Sequence, residues 1–310
     1  MSLQTPVVLI IFNRPSLTKL IFEAIAREKP NTLIVIADGP RNNEELESCQ
    51  NAREVTEEVN WECEVFRNYS DINLGCRKRV SSGLTWAFSL VEEAIILEDD
   101  CLPNNCFFTF CDRLLDYYRH DARVMMISGS NLLENYKIDL QSYLFSYYGS
   151  VWGWATWRRA WRKYDENIRL WEDPQVKASL RNIFPNPQNF RERAEKFDAV
   201  YAGKIDTWDY QWTFSRLINC GLAITPKANL ISNIGFGENA THTINLNSSL
   251  ANLPRHNLDF PLKHPLTLIP DSNYLIMVLN RNNLEGSLMK RIKGKLQKSL
   301  SFCYEISIWD

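Results

Sequence analysis

The 310-residue sequence predicts an α/β fold, with a mostly parallel central sheet and helices on both faces, on three observations. Continuous apolar runs, "PVVLIIF", "TLIVIA" and "AIIL", read as strands buried on both faces. Segments of helical periodicity alternate with them, the pattern of a doubly wound sheet. Each run ends abruptly in polar residues: Asn13, Asp38, and Glu98 to Asp100. Sheets of this kind place their ligands beyond such strand ends.

Taken in order, the first strand leads into Asn13 and Pro15, a capping residue and a first-turn proline. Leu17, Leu20, Ile21, Ala24 and Ile25 then recur at helical spacing. The second strand ends in Asp38, Gly39 and Pro40. A charged, helix-like stretch from Glu44 to Val59 precedes a third strand, "CEVFRN". "NLGCRKRVSSGLTWAFSLVEE" supplies a loop and a helix, and "AIILEDD" a fourth strand. Next come an amphipathic helix, "CFFTFCDRLLDYYRHD", and a fifth strand, "RVMMISGSN". Beyond Ser142 the composition turns aromatic, with Trp152, Trp154, Trp157, Trp161 and Trp171 close together. "FPNPQNF" reads as a loop, and helices are expected around Arg191 to Tyr201 and Trp208 to Cys220. "GLAITPKANLISNIGFGENATHT" reads as strand, turn and glycine-rich loop. The expected organisation is a first half over 1–132, an aromatic second half of the same domain over 133–285, and a basic tail over 286–310.

Composition narrows the function classes. Hydrophobic content of 45% and charged content of 23% are ordinary globular values. A net charge of −2 gives no generally basic surface, so no nucleic-acid partner is expected. The eight cysteines form no C-x-x-C pair and no cluster with histidine. They read as reduced thiols, and with no signal peptide or spanning segment expected, the location expected is cytoplasmic. The chain has neither the dinucleotide-binding G-x-G-x-x-G nor the phosphate-loop motif, which removes the main support for redox and ATPase readings.

The most informative stretch is "EEAIILEDDCLPNNCFF". Three consecutive carboxylates repel one another, and such crowding is best tolerated when a cation sits among them. Hard cations such as Mg²⁺ and Mn²⁺ take oxygen ligands, and with phosphate substrates they need only one or two protein carboxylates. An acidic tip on a buried strand, with Asp38 on a second strand end, suits that use better than a solvated turn.

Here the chain resembles a GT-A glycosyltransferase, and in particular the N-acetylglucosaminyltransferase I type. The likeness rests on Glu98-Asp99-Asp100, Pro103 and Phe107-Phe108, then Ser128 and Asn131, then Trp208-Asp209, "GLAITP", Gly235, Gly237 and His242. It implies a metal-dependent, inverting transfer of a sugar from a nucleoside-diphosphate donor, expected to be a UDP-sugar, to an acceptor hydroxyl. Surface polysaccharide or glycoconjugate synthesis would be the setting. By the same resemblance Asp100 is the direct ligand of a divalent metal, Mn²⁺ or Mg²⁺, with His242 returning to it. Glu98, Asp99 and Asp38 would face the nucleotide and its sugars, and Asn13 and Arg14 would lie near the donor at the first helix start. Arg77, Lys78 and Arg79 add three cations at another helix start. The resemblance implies that one of them neutralises the diphosphate, and Arg77 and Arg79 are the candidates.

Asp209 corresponds to the general base, with Asp206 as the fallback; an N-cap carboxylate is the competing structural role. The run Trp-Asp-Tyr-Gln-Trp departs from the family's Trp-Asp-Asp-Trp, so the choice between the two aspartates stays open. Trp152 or Trp154, beside Gly149 and Gly153, would stack on an acceptor saccharide, free or lipid-linked, whereas Trp157 and Trp161, four residues apart, read as helix core. Leu288, Ile292, Leu296 and Leu300 make one apolar stripe in a tail whose charges around them are all basic. Such a helix fits the inner face of an anionic membrane, or else an ordinary packing surface. The alternatives carried forward are a sugar-nucleotide pyrophosphorylase, against which "FNRPSL" lacks the glycine-rich basic loop, and a non-catalytic carbohydrate-binding protein on the same fold.

Overall fold

The computed structural model describes residues 2–136, 141–236 and 248–281. The alternation expected from the sequence is present through the first hundred residues. Strand β1 (Val7–Ile11) is followed by α1 (Pro15–Glu28), β2 (Thr32–Ala37), α2 (Leu46–Val55), β3 (Glu64–Tyr69), α3 (Gly75–Leu90) and β4 (Glu93–Glu98). These four strands are mutually parallel in the order β3-β2-β1-β4. Every residue of β1 is buried, because the two faces of the strand feed two different cores. Val7 and Leu9 pack with Ile21 and Ile25 of α1, whereas Val8 and Ile10 pack with Val80, Leu84 and Ala87 of α3. Helices on both faces explain why these strands read as unbroken apolar runs rather than alternating ones.

A short strand β5 (Cys101–Pro103) leads to α4 (Asn105–Tyr117), which Asn104 caps by accepting from the backbone of Cys106 and Phe107. Then come β6 (Val124–Ser128), β7 (Tyr143–Ser146), β8 (Trp154–Trp157), α5 (Arg158–Trp161), α6 (Pro174–Arg181), α7 (Pro187–Tyr201), α8 (Asp209–Ile218), β9 (Leu222–Pro226) and β10 (Ile231–Asn233). The large sheet has eight strands in the order β3-β2-β1-β4-β8-β6-β9-β7. β6 and β9 are parallel neighbours, while β8 and β7 run antiparallel to theirs. The fold is therefore α/β, with a large, mostly parallel, Rossmann-like sheet and an aromatic-rich second half.

Four local expectations need correction. Asn13 does not cap α1; Arg14 holds that position without a side-chain bond, and Asn13 Nδ2 instead donates to Glu45 Oε1 at 3.0 Å. "FPNPQNF" is not wholly loop, since Asn186 accepts from Asn189 N at 2.9 Å and Pro187 opens α7. Trp157 is core but lies in β8 rather than on a helix with Trp161. Trp154 points into the core, with 0% of its surface exposed, and stacks on Trp208 at 5.5 Å and beside Trp212 at 5.7 Å. The seven described cysteines are free thiols. Among the described residues no helix is long and apolar enough to cross a membrane. The tail over 286–310, Gly237 and His242 lie outside the described residues.

Candidate active site

Because β2, β1 and β4 are adjacent and parallel, their carboxyl ends bring Asp38, Phe12 to Arg14 and Glu98 to Asp100 to one rim. Ile10 is in register with Glu98, so Arg14 reaches back over the acidic tip from the neighbouring strand. Its guanidinium forms an ion pair with Asp99 and a second with Asp100, Nη2 to Oδ2, at 3.1 Å. The cation that pairs with two of the three acids is thus Arg14. Burial and the flanking Asp100 and Asp99 push Glu98 up to about 8. Burial also raises Asp99, to about 6, against the pull of Arg14 and with Asp100 adding to the rise.

These raised carboxyls have a stability consequence. The folded state holds protons that the unfolded chain has released, so stability falls as pH climbs from ordinary carboxylate values to about 8 and is level above. Glu98→Gln is therefore expected to raise the melting temperature at about pH 8.5 and leave it unchanged at about pH 4. Thermal melts in chelator at the two pH values check this; an equal change at both would remove the protonation explanation.

A cavity of 470 Å³ opens over this rim, lined among others by Arg14, Asp38, Arg41, Arg79, Glu98 to Asp100, Trp152 and Asp206 to Tyr210. Asp38 is 6% exposed, and protein donors already engage its carboxylate. It accepts from the backbone of Gly39 and Leu74 at 2.9 Å, from Gly75 at 3.1 Å and from Asn73 Nδ2 at 3.1 Å. A carboxylate offers about four acceptor positions, so Asp38 fixes the 73–75 loop rather than presenting a free oxygen to a nucleotide. Arg79 is buried behind it, donating to Asn68 O and Oδ1 at 2.9 and 2.7 Å. Arg77 turns away from this cavity, to Glu166 O at 2.7 Å and Asn167 Oδ1 at 2.8 Å.

The start of α3 is closed by a residue distant in sequence. Asp206 accepts from Cys76 N at 2.9 Å and Arg77 N at 3.0 Å, so the fallback base is a helix cap. Gly75 is required there: its φ is +80°, and a Cβ would lie 2.6 Å from Asp206 Oδ2. Asp209 is the reverse case. It is the first residue of α8, makes no cap bond, and accepts a hydrogen bond at Oδ1 from the Thr207 hydroxyl.

A second, larger cavity of 720 Å³ lies on the other side of Asp209, between Tyr147 to Trp152, α7 and the helix over 272–281. Val151, Trp152, Asp209 and Tyr210 line both cavities. Trp152 is partly exposed and meets Phe236 edge-on at 5.8 Å, so of the two tryptophans expected at an acceptor only Trp152 reaches a cavity.

The donor set can be weighed against a divalent cation. Asp100 has a partly exposed carboxylate, with Asn233 Nδ2 at 3.5 Å and Cys101 Sγ at 3.3 Å from Oδ1. Among the described residues no three His, Cys, Asp or Glu side chains form a metal cluster. Hard carboxylate oxygens from Asp100, completed by phosphate and water, fit Mg²⁺ or Mn²⁺ once Arg14 yields its contact. Gly235 packs directly on this carboxylate, a Cβ there falling 2.2 Å from Asp100 Oδ2. Gly235→Ala must displace Asp100, and if that carboxylate holds a divalent cation for a nucleotide, the Mn²⁺-dependent affinity is expected to fall about 10–100-fold, the usual cost of disturbing a ligand's support. Isothermal titration with and without Mn²⁺ measures it, and unchanged affinity would rule out Asp100 as a metal ligand.

Arg41, Thr207, Tyr210 and Asn233 escaped the sequence reading. Only Arg41 left a local trace, in "ADGPRNN" directly after a strand end; the others are gathered by tertiary packing.

No family model and no curated protein sequence matches the chain. Among solved structures, a UDP-glucose pyrophosphorylase complexed with UDP-glucose is similar over 74% of this chain and 93% of its own, at 7% identity and a TM-score of 0.35. A mannose-1-phosphate geranyltransferase from Thermus thermophilus is similar over 74% and 76%, at 12% identity and a TM-score of 0.34. Likenesses of this order do not bear on function.

Proposed function

We propose that the protein is a GT-A-type glycosyltransferase, similar to the N-acetylglucosaminyltransferase I type, moving a sugar from a nucleoside diphosphate to an acceptor hydroxyl. The observation that carries this reading is that Asp209 stands in the wall shared by two cavities. One cavity has the carboxylates and arginines that suit a nucleotide diphosphate; the other combines aromatic, aliphatic and polar side chains, and suits an acceptor.

In this reading the donor lies over the ends of β1, β2 and β4, and Arg14, Arg41 and Arg79 are the cations of that cavity's lining, set among its carboxylates. Asp100 would hold the divalent cation, which when bound stabilises charge on the leaving diphosphate. Trp152 presents an aromatic surface to the acceptor sugar. The Thr207 hydroxyl holds Asp209 Oδ1, which orients the carboxylate and leaves Oδ2 to take the acceptor's proton. The acceptor oxygen then bonds to the anomeric carbon as the carbon–phosphate-oxygen bond breaks. The nucleoside diphosphate leaves with the bonding pair. Attack from the opposite face inverts the anomeric centre.

Thermal melts with uridine diphosphate and other nucleoside diphosphates, with and without Mn²⁺, test the reading. A ligand at a hundredfold excess over its Kd stabilises by about 2.7 kcal/mol, a readily measured shift. The shift should need Mn²⁺ and vanish in Asp100→Asn. No response to any nucleotide would favour a carbohydrate-binding protein without catalysis.

A further inference from the structure

The larger cavity has two unlike sides. Toward α7 it is polar, with Gln188, Glu192, Arg193 and Lys196. Another end is aliphatic, formed by Leu132, Leu250, Leu275 and Leu279. Leu275 and Leu279 are four residues apart on the helix over 272–281 and so share one face. That end is backed by a satellite core in which Leu132, Tyr274 and Val278 are buried and Trp152, Tyr148 and Leu250 pack on them. The aliphatic end is thus continuous, through Trp152, with the wall that carries Asp209.

Sugars are met by flat aromatic faces and hydrogen-bonding groups; branched aliphatic side chains offer a sugar hydroxyl nothing. A volume of 720 Å³ lies toward the upper part of the roughly 300–1,000 Å³ range of ligand pockets, more than one sugar ring fills. Resting on the glycosyltransferase reading, we infer that the acceptor is amphipathic, a saccharide whose reducing end carries an apolar alkyl or isoprenoid aglycone. The sugar sits between Trp152, Tyr210 and Asp209, and the hydrocarbon lies along Leu250, Leu275 and Leu279.

The test is a titration of the full chain with methyl, butyl and hexyl β-D-glucopyranosides below their micelle concentrations, read by calorimetry with uridine diphosphate and Mn²⁺ present. Affinity should rise with chain length, the hexyl glycoside binding at least about tenfold tighter than the methyl, since each fully buried methylene contributes about fourfold. Leu279→Asn should flatten the series. Leu250→Asn, at a partly exposed position, should do the same if the first variant does not fold. Both variants should keep the nucleotide-induced thermal shift. A flat series in the wild type, with the nucleotide shift intact, would overturn the amphipathic acceptor and leave the transferase reading standing. A rising series with no nucleotide response would overturn both, making the cavity a binding site for amphiphiles. If the series rises only after Ile292→Asp and Leu296→Asp in the full chain, the chain's own tail fills the cavity and the inference is wrong.

Discussion

If the proposed transferase reading holds, Asp209→Asn slows sugar transfer about 10²–10⁴-fold, the usual contribution of a positioned general base, while Mn²⁺-dependent nucleotide binding stays at the wild-type level. The split between the two readouts is what matters. Asparagine keeps the size of the side chain and can still accept from the Thr207 hydroxyl, so α8 should begin unchanged. No cap bond is lost, because Asp209 makes none. Single-turnover rates and nucleotide titrations on the same preparation measure both quantities. Equal weakening of binding and rate would mean that Asp209 shapes the donor cavity. Full activity would take the proton from Asp209 altogether, and Asp206 would not be a ready substitute while it caps α3.

Arg14→Met should be strongly destabilising. It leaves Asp99, 3% exposed, without its guanidinium and beside two further acids. Breaking a buried ion pair from one side costs about 3–5 kcal/mol, and the partial exposure of Arg14 places the expected value at about 3 kcal/mol. Two features separate this from lost packing. The deficit should shrink as pH falls from about 8 to about 5, because raised carboxyls take up protons in the folded state and the repulsion is relieved. Combining Arg14→Met with Asp99→Asn should restore most of the stability, since the uncompensated buried charge is then gone. Urea unfolding at the two pH values measures both. A deficit independent of pH and unrelieved by the second substitution would assign it to packing around the Arg14 side chain.

The half of the fold that the sequence made legible is the half with local signals. β1, β2 and β4 are buried on both faces, so nearly every residue in them is apolar, and their polar ends mark the site without any knowledge of pairing. β8 is different. Its four residues, Trp154 to Trp157, carry no alternation, and their place between β4 and β6 is set by partners about 60 and 30 residues earlier. Without that strand the tryptophans look like a helical stripe, and Trp154 passes for a ligand-facing residue when it lies in the core.

The site divides along the same line. Crowded carboxylates announced a need for positive charge, yet that Arg14 meets it depends on the register of β1 with β4. Asp38 was legible as a strand-end acid, but the three donors from Asn73 to Gly75 that occupy it come from a loop some 35 residues on. Asp206 and Asp209, three residues apart, both line the smaller cavity, but Asp206 spends its carboxylate on the backbone of α3, whereas Asp209 caps nothing and also lines the larger cavity.

Incubation of the protein with a panel of nucleotide sugars in Mn²⁺, without acceptor, followed by chromatography of the nucleotides, probes the proposed chemistry most directly. Water standing in for the acceptor should release a nucleoside diphosphate and free sugar from at least one donor, slowly, and Asp100→Asn should abolish that release. Consumption of no nucleotide sugar at all would contradict a transferase. So would turnover only on addition of pyrophosphate, yielding a nucleoside triphosphate and a sugar 1-phosphate.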